Sequence, residues 1–165
     1  MRNYASSTSA FSAGRGAAAV GNVVTFNGFS DSRIADPPQG WWSDILRRLD
    51  ELCSLPQGWD GYRAPPVSFS NAHFAMSLLN SACPDRSPAP QMIPGPNGDL
   101  QIEWHNGSLD IEVHIQGPYN VDAWRASPDL PEEGEEVHLK ADFTIVAQWL
   151  TRLSESAVAT RPAAA

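Results

Sequence analysis

The stretch Gly98-Asp99-Leu100-Gln101-Ile102-Glu103-Trp104-His105-Asn106-Gly107-Ser108-Leu109-Asp110-Ile111-Glu112-Val113-His114-Ile115-Gln116 carries two alternating runs around Asn106-Gly107. Successive side chains of a strand point to opposite faces, so Leu100, Ile102 and Trp104, then Leu109, Ile111, Val113 and Ile115, share one apolar face. Gln101, Glu103, His105, Asp110, Glu112 and His114 share the other. An Asn-Gly pair between alternating runs is the pattern of a two-residue type I′ turn. That turn predicts a hairpin with Glu103 opposite Asp110, Leu109 opposite Trp104 and Glu112 opposite Gln101. Like charges facing each other across a hairpin are destabilising, which draws attention to this polar face as a place for function.

Working outward, Pro118 to Trp124 continues the alternation as a third antiparallel strand, and Met92-Ile93 offers a short edge strand on the other side. Upstream, Trp42, Ile45, Leu46, Leu49, Leu52 and Cys53 recur at helical spacing, with Ser43 as the expected N-cap and Pro56 as the stop. A second helical pattern places Phe69, Ala72, Met76, Leu79 and Cys83 on one side, capped by Ser68 or Ser70 and ended by Pro84. Downstream of an acidic loop from Ser127 to Glu136, Asp142 caps a last helix with Phe143, Val146, Trp149, Leu150 and Leu153 as its apolar stripe. Helix, helix, meander, helix is the order of an α+β domain. It predicts two N-terminal helices, a three- to four-stranded antiparallel meander and a C-terminal helix packed on one face of the sheet.

Composition sets the boundaries. The 165 residues carry 14 prolines and 12 glycines, and the first 35 are rich in Ser, Ala and Gly with one short apolar patch at Val23 to Phe26. The reading is a disordered low-complexity tail over 1–35, a single domain over 36–156 and a frayed tail over 157–165. The N-terminal stretch lacks the apolar core of about 7–15 residues that marks a secretory signal. No apolar run approaches the roughly 20 residues that cross a bilayer. A soluble cytoplasmic protein without membrane contact is expected. Cys53 and Cys83 have no CxxC spacing and fall on apolar helix faces, where reduced core thiols are expected.

The net charge of -8 is concentrated between Asp99 and Glu136, which holds ten acids against the single base Arg125. Phosphate backbones are bound by Lys and Arg, so direct nucleic-acid binding is disfavoured. A basic protein surface is favoured instead, including one that itself handles nucleic acid. Catalytic signatures are poor. The chain has no GxSxG nucleophile elbow and no GxxxxGKS or GxGxxG phosphate loop. His73 and Cys83 lie ten positions apart on one helix with no third group to orient them. No cofactor and no enzymatic activity are expected. The partner-binding set is Glu103, Asp110, Glu112, Glu132, Glu133, Glu135 and Glu136, with the aromatic pair Trp59 and Tyr62 of the Gly58 to Gly61 loop as a second surface. In that loop Asp60 is expected to cap backbone amides while the rings plug the corner between the helices.

Two other classes compete. A small metal-dependent hydrolase would use Glu103, Asp110, Glu112 and His105, although no HExxH or His-x-His spacing supports a ligand set. A structural accessory subunit would be recognised through the Trp59 and Tyr62 loop.

The run Leu55-Pro56-Gln57-Gly58-Trp59-Asp60-Gly61-Tyr62, then Ala64-Pro65, then Leu100-Gln101-Ile102-Glu103-Trp104 and Leu109-Asp110-Ile111-Glu112-Val113, resembles small uncharacterised bacterial proteins found among accessory and mobile genes. The resemblance spans about residues 40 to 125 and supplies no catalytic residues. It implies a single domain and an antitoxin-, immunity- or inhibitor-like role. The expected partner is then a toxin or a nucleic-acid-handling nuclease complex.

Overall fold

A computed structural model describes residues 40–159, with side chains through Glu155. The expected tail over 1–35, its Val23 to Phe26 patch and the terminal residues 160–165 lie outside the described residues. The elements are α1 (Trp42–Cys53), α2 (Phe69–Ala82), β1 (Gln91–Pro94), β2 (Leu100–His105), β3 (Asp110–Gly117), β4 (Asn120–Ala126), β5 (Glu135–Leu139) and α3 (Thr144–Ala159). The sheet is an antiparallel meander in the order β1-β2-β3-β4-β5. The fold is α+β, with five strands instead of three or four. The added strand is β5, built from the end of the expected acidic loop, so Glu135 and Glu136 are strand residues. Helix α3 is still helical at 157–159, where a frayed tail is expected.

The alternation of β2, β3 and β4 divides the sheet into two faces. Leu100, Ile102, Trp104, Ile111, Val113, Ile115, Val121 and Ala123 are buried against one core that also takes in Leu49, Leu79, Trp149 and Leu153 of the three helices and Phe143 just before α3. Water-exclusion of these side chains supplies the main drive to fold. The Pro84 to Pro90 connector is tied down by two indoles. Trp41 Nε1 donates to the Ser87 carbonyl at 2.8 Å, and Trp104 Nε1 donates to the Pro88 carbonyl at 3.2 Å.

Local signals hold at most helix ends. Ser68 caps α2 by accepting from the Asn71 N–H at 3.2 Å, and the Asp142 carboxylate accepts from the Thr144 N–H at 2.9 Å before α3. Ser43 does not cap α1. The N-cap is Trp41, which makes no side-chain cap bond, and the helix begins at Trp42 so that both indoles pack on the core. Phe69 departs from the expected apolar stripe of α2 and is 55% exposed. The face of α2 that meets the core is centred on Ala75, Leu78 and Leu79, which leaves Phe69 at the rim against the His73 ring.

The hairpin register differs from the expected one by two residues. His105 pairs with Asp110, Trp104 with Ile111, Glu103 with Glu112 and Ile102 with Val113. The connection is the four residues Asn106 to Leu109. A type I′ turn needs positive φ at both central residues. Gly107 has φ 82°, but among the described residues Tyr119 is the only non-glycine with positive φ. Asn106 instead folds its side chain back, accepting from the Ser108 N–H at 3.1 Å and the Leu109 N–H at 2.9 Å. A shift of two residues preserves the faces, so the inner set is unchanged while the cross-strand partners are exchanged.

Candidate functional site

Helices cover one face of the sheet, and the polar residues of five strands share the other. Cross-strand pairing sets them in rows. One row runs Ile93, Gln101, His114, Asp122, His138, the next Gln91, Glu103, Glu112, Trp124, Glu136, and a short third His105, Asp110, Ala126. Five carboxylates stand in these rows, with three imidazoles and no lysine or arginine. Arg125, of opposite parity, points inward. Its guanidinium lies over the Trp149 ring at 5.2 Å and donates to Glu135 at 2.7 Å.

Glu103 does not face Asp110, contrary to the two-residue turn. The two acids meet through His105, whose Nε2 lies 3.1 Å from Glu103 Oε2 and whose Nδ1 lies 3.0 Å from Asp110 Oδ1. Hydrogen bonds to Glu103 and then Asp110 raise the His105 pKa above its ordinary value, against a smaller opposing effect of desolvation. The residue opposite Glu103 is Glu112, and this like-charge pair is bridged by one amide. Gln101 Nε2 donates to Glu103 at 2.7 Å and to Glu112 at 3.1 Å. The two acids bound to His105 differ in openness. Glu103 keeps 14% of its side-chain surface, and Asp110 keeps 47%.

The two histidines of the other row each pair with a carboxylate. His138 Nδ1 lies 2.7 Å from Asp122 Oδ1, and Gln116 Nε2 donates to Asp122 Oδ2 at 2.6 Å. His114 Nε2 is paired with Asp99, which is only 6% exposed in the turn between β1 and β2. Burial pushes the Asp99 carboxyl up, but hydrogen bonds with His114 and from the Asn97 N–H outweigh it and hold the group below its usual value. Gly95 makes room for this carboxylate, since any Cβ there would overlap it.

The loop 127–134 is pinned to the same face. Trp124 Nε1 donates to the Glu133 carbonyl at 2.9 Å, and the Gly134 N–H donates to the Pro131 carbonyl at 2.9 Å. Gly134 has φ 74°, and a Cβ there would stand 2.5 Å from the Arg125 carbonyl oxygen and 2.6 Å from Trp124 Nε1. A residue without a side chain is required at that point. Glu132 and Glu133 are exposed beside the sheet, Glu136 is exposed in β5, and Glu135 turns to Arg125.

The second expected surface is separate. Trp59 Nε1 donates to the Pro65 carbonyl at 2.9 Å, and Asp60 Oδ1 accepts from the Tyr62 and Ala64 N–H groups at 2.9 and 3.1 Å. Asp60 is a loop cap, Trp59 packs within the loop, and of its two rings Tyr62, 87% exposed, is the one that projects. No hydrogen bond or ring contact among the described residues joins Trp59 or Tyr62 to the sheet face.

Residues Asp122, Trp124, His138 and Asp99 belong to the face and are absent from the expected binding set. For Asp122, Trp124 and His138 the signal is alternation in β4 and β5, which places them on the polar rows once the strands are in register, whereas Asp99 reaches the face from the turn before β2 through its pairing with His114. Among the described residues, no three His, Cys, Asp or Glu side chains come together in a cluster that could hold a metal ion. Cys53 and Cys83 are free, and burial pushes the Cys83 thiol up to about 12. No helix among the described residues is long and apolar enough to cross a membrane. The chain matches no protein-family model, no curated protein and no solved structure.

Proposed function

We propose that the chain is a non-enzymatic protein-binding module that engages a basic partner surface through the open face of its sheet. The observation that carries this reading is the set Glu103, Asp110, Glu112, Asp122 and Glu136, five carboxylates in adjoining rows with no lysine or arginine among them. Glu132 and Glu133 extend the negative field at one side, held there by Trp124. Such a field raises the encounter rate with a basic surface and rejects an acidic one. An antitoxin, immunity or inhibitor role is what the resemblance to bacterial accessory-gene proteins implies, and a toxin or a nucleic-acid-handling nuclease complex fits the charge.

The face is better suited to recognition than to catalysis. Both ring nitrogens of His105 are engaged with the acids that the hydrolase alternative would need as ligands, and the groove of about 420 Å³ beside Asp110 and Glu132 contains no histidine. The test is affinity capture from the native host with the full chain and with a variant carrying Glu103→Lys and Glu112→Lys. A basic protein retained by the first and lost from the second supports the reading. Equal retention, or partners without a basic surface, contradicts it.

A further inference from the structure

The two edges of the sheet are finished differently. An edge strand presents unpaired N–H and C=O groups that pair readily with another chain unless something blocks them. Edge β1 is blocked. It has four residues ending in Pro94, and Arg48 of α1 donates to its Met92 carbonyl at 3.4 Å. Edge β5 pairs with β4 on one side, contains no proline and has no strand on its other side among the described residues.

Side chains along β5 fit an alternating occupant. On the helix side, half-buried Val137 and Ile145 remain partly open, and a groove of about 370 Å³ at the corner between β5 and α3 is lined by His138, Leu139, Lys140, Asp142, Ile145 and Gln148 among others. On the open side stands exposed Glu136. From Glu132 to Asp142 the chain carries five carboxylates and one lysine, Lys140. A second copy of β5 would set two such acidic segments side by side, which like-charge repulsion opposes, whereas a basic strand neutralises them.

We propose that β5 is a docking edge for an extended segment of a partner protein in which Lys or Arg alternates with apolar residues. The added strand becomes the sixth of the sheet. Its backbone completes the hydrogen bonds of β5, its apolar residues cover Val137 and Ile145, and its basic residues continue the carboxylate row that ends at Glu136. This mode of recognition takes affinity from the main chain and specificity from alternate side chains. It rests on the proposed function only for the basic character of the partner.

The test uses the full chain and a short capped peptide of alternating lysine and valine, with a second peptide of the same sequence N-methylated at alternate residues. Methylation keeps the charge and removes the strand-pairing N–H groups. The expected results are slowed amide hydrogen exchange at 135–139 on peptide binding, weakening of about tenfold or more on methylation, and weakening by Glu136→Lys. Equal binding of the two peptides, protection elsewhere than β5, no binding, or a peptide-free dimer joined through β5 would each overturn the proposal. If both peptides bind equally and the Glu103→Lys, Glu112→Lys variant loses both, the open-face reading stands and the edge proposal falls. Docking at β5 that this variant leaves intact has the opposite meaning.

Discussion

The two faces of strands β2, β3 and β4 are built from the same alternation and do different work. On the inner face Ile102, Val113 and Ala123 meet side by side with no exposed surface, and their cross-strand partners Met92 and Val137 are apolar as well. On the outer face the corresponding row holds Glu103, Glu112 and Trp124, and order comes from single hydrogen bonds through Gln101 and the Glu133 carbonyl. Burial is roughly additive in area and tolerates no polar intruder, whereas hydrogen bonds at a wet surface each contribute little. Stability therefore resides in one face, which leaves the composition of the other free to serve recognition.

Removing an inner-face ring should have the largest effect. Trp104→Ala takes away a side chain 2% exposed and its bond to Pro88, and a loss of roughly 3–5 kcal/mol in chemical denaturation is expected. A loss below about 1 kcal/mol would erase the contrast between the faces. Gly134→Ala combines positive φ with a collision against the Arg125 carbonyl, and about 1–3 kcal/mol is expected, read as a lowered thermal midpoint with Trp124 fluorescence changed in the folded state.

Acid and base titrations separate the outer-face pairs. The Asp99 carboxyl is depressed in the folded chain, so its contribution is present above the unfolded value near 3.9 and fades as pH falls through the lower folded value. His105 is raised, so its contribution is complete below about 6.5 and fades as pH rises through the folded value. Glu103→Gln should move the His105 titration, followed by NMR, back toward its ordinary value. Smallest of all, Glu112→Gln removes one member of a facing like-charge pair and should change stability by less than about 0.5 kcal/mol, in either direction.

These contrasts also show what the sequence could disclose. The inner face was legible because alternation is a local property, and both Ser68 and Asp142 could be read as caps from their own neighbourhoods. The hairpin register was not. Asn106-Gly107 has the composition of a tight turn, but the Asn106 side chain bonds Ser108 and Leu109, and Asn106 Nδ2 also reaches the Leu153 carbonyl of α3 at 3.2 Å, a contact no local pattern contains. Strand β5 was hidden for a similar reason. Pro128, Pro131 and Gly134 punctuate an acidic run that reads as loop, and the segment becomes a strand through Arg125 holding Glu135 and through pairing with β4. The hairpin acids of the candidate site could thus be named in advance, while Asp122, Trp124 and His138 required the register of strands four and five.

If the outer face binds a partner and contributes little to folding, reversing its central charge pair should separate the two roles. Glu103→Lys with Glu112→Lys exchanges one facing like-charge pair for another, and Gln101 can turn its amide oxygen to the new cations. Thermal unfolding and association kinetics with the captured partner are measured together across a salt series. The expected results are a midpoint lowered by no more than about 4 °C and an on-rate that falls sharply at low salt and loses its salt dependence. A collapsed midpoint, or association as fast and as salt-sensitive as in the parent chain, would contradict that separation.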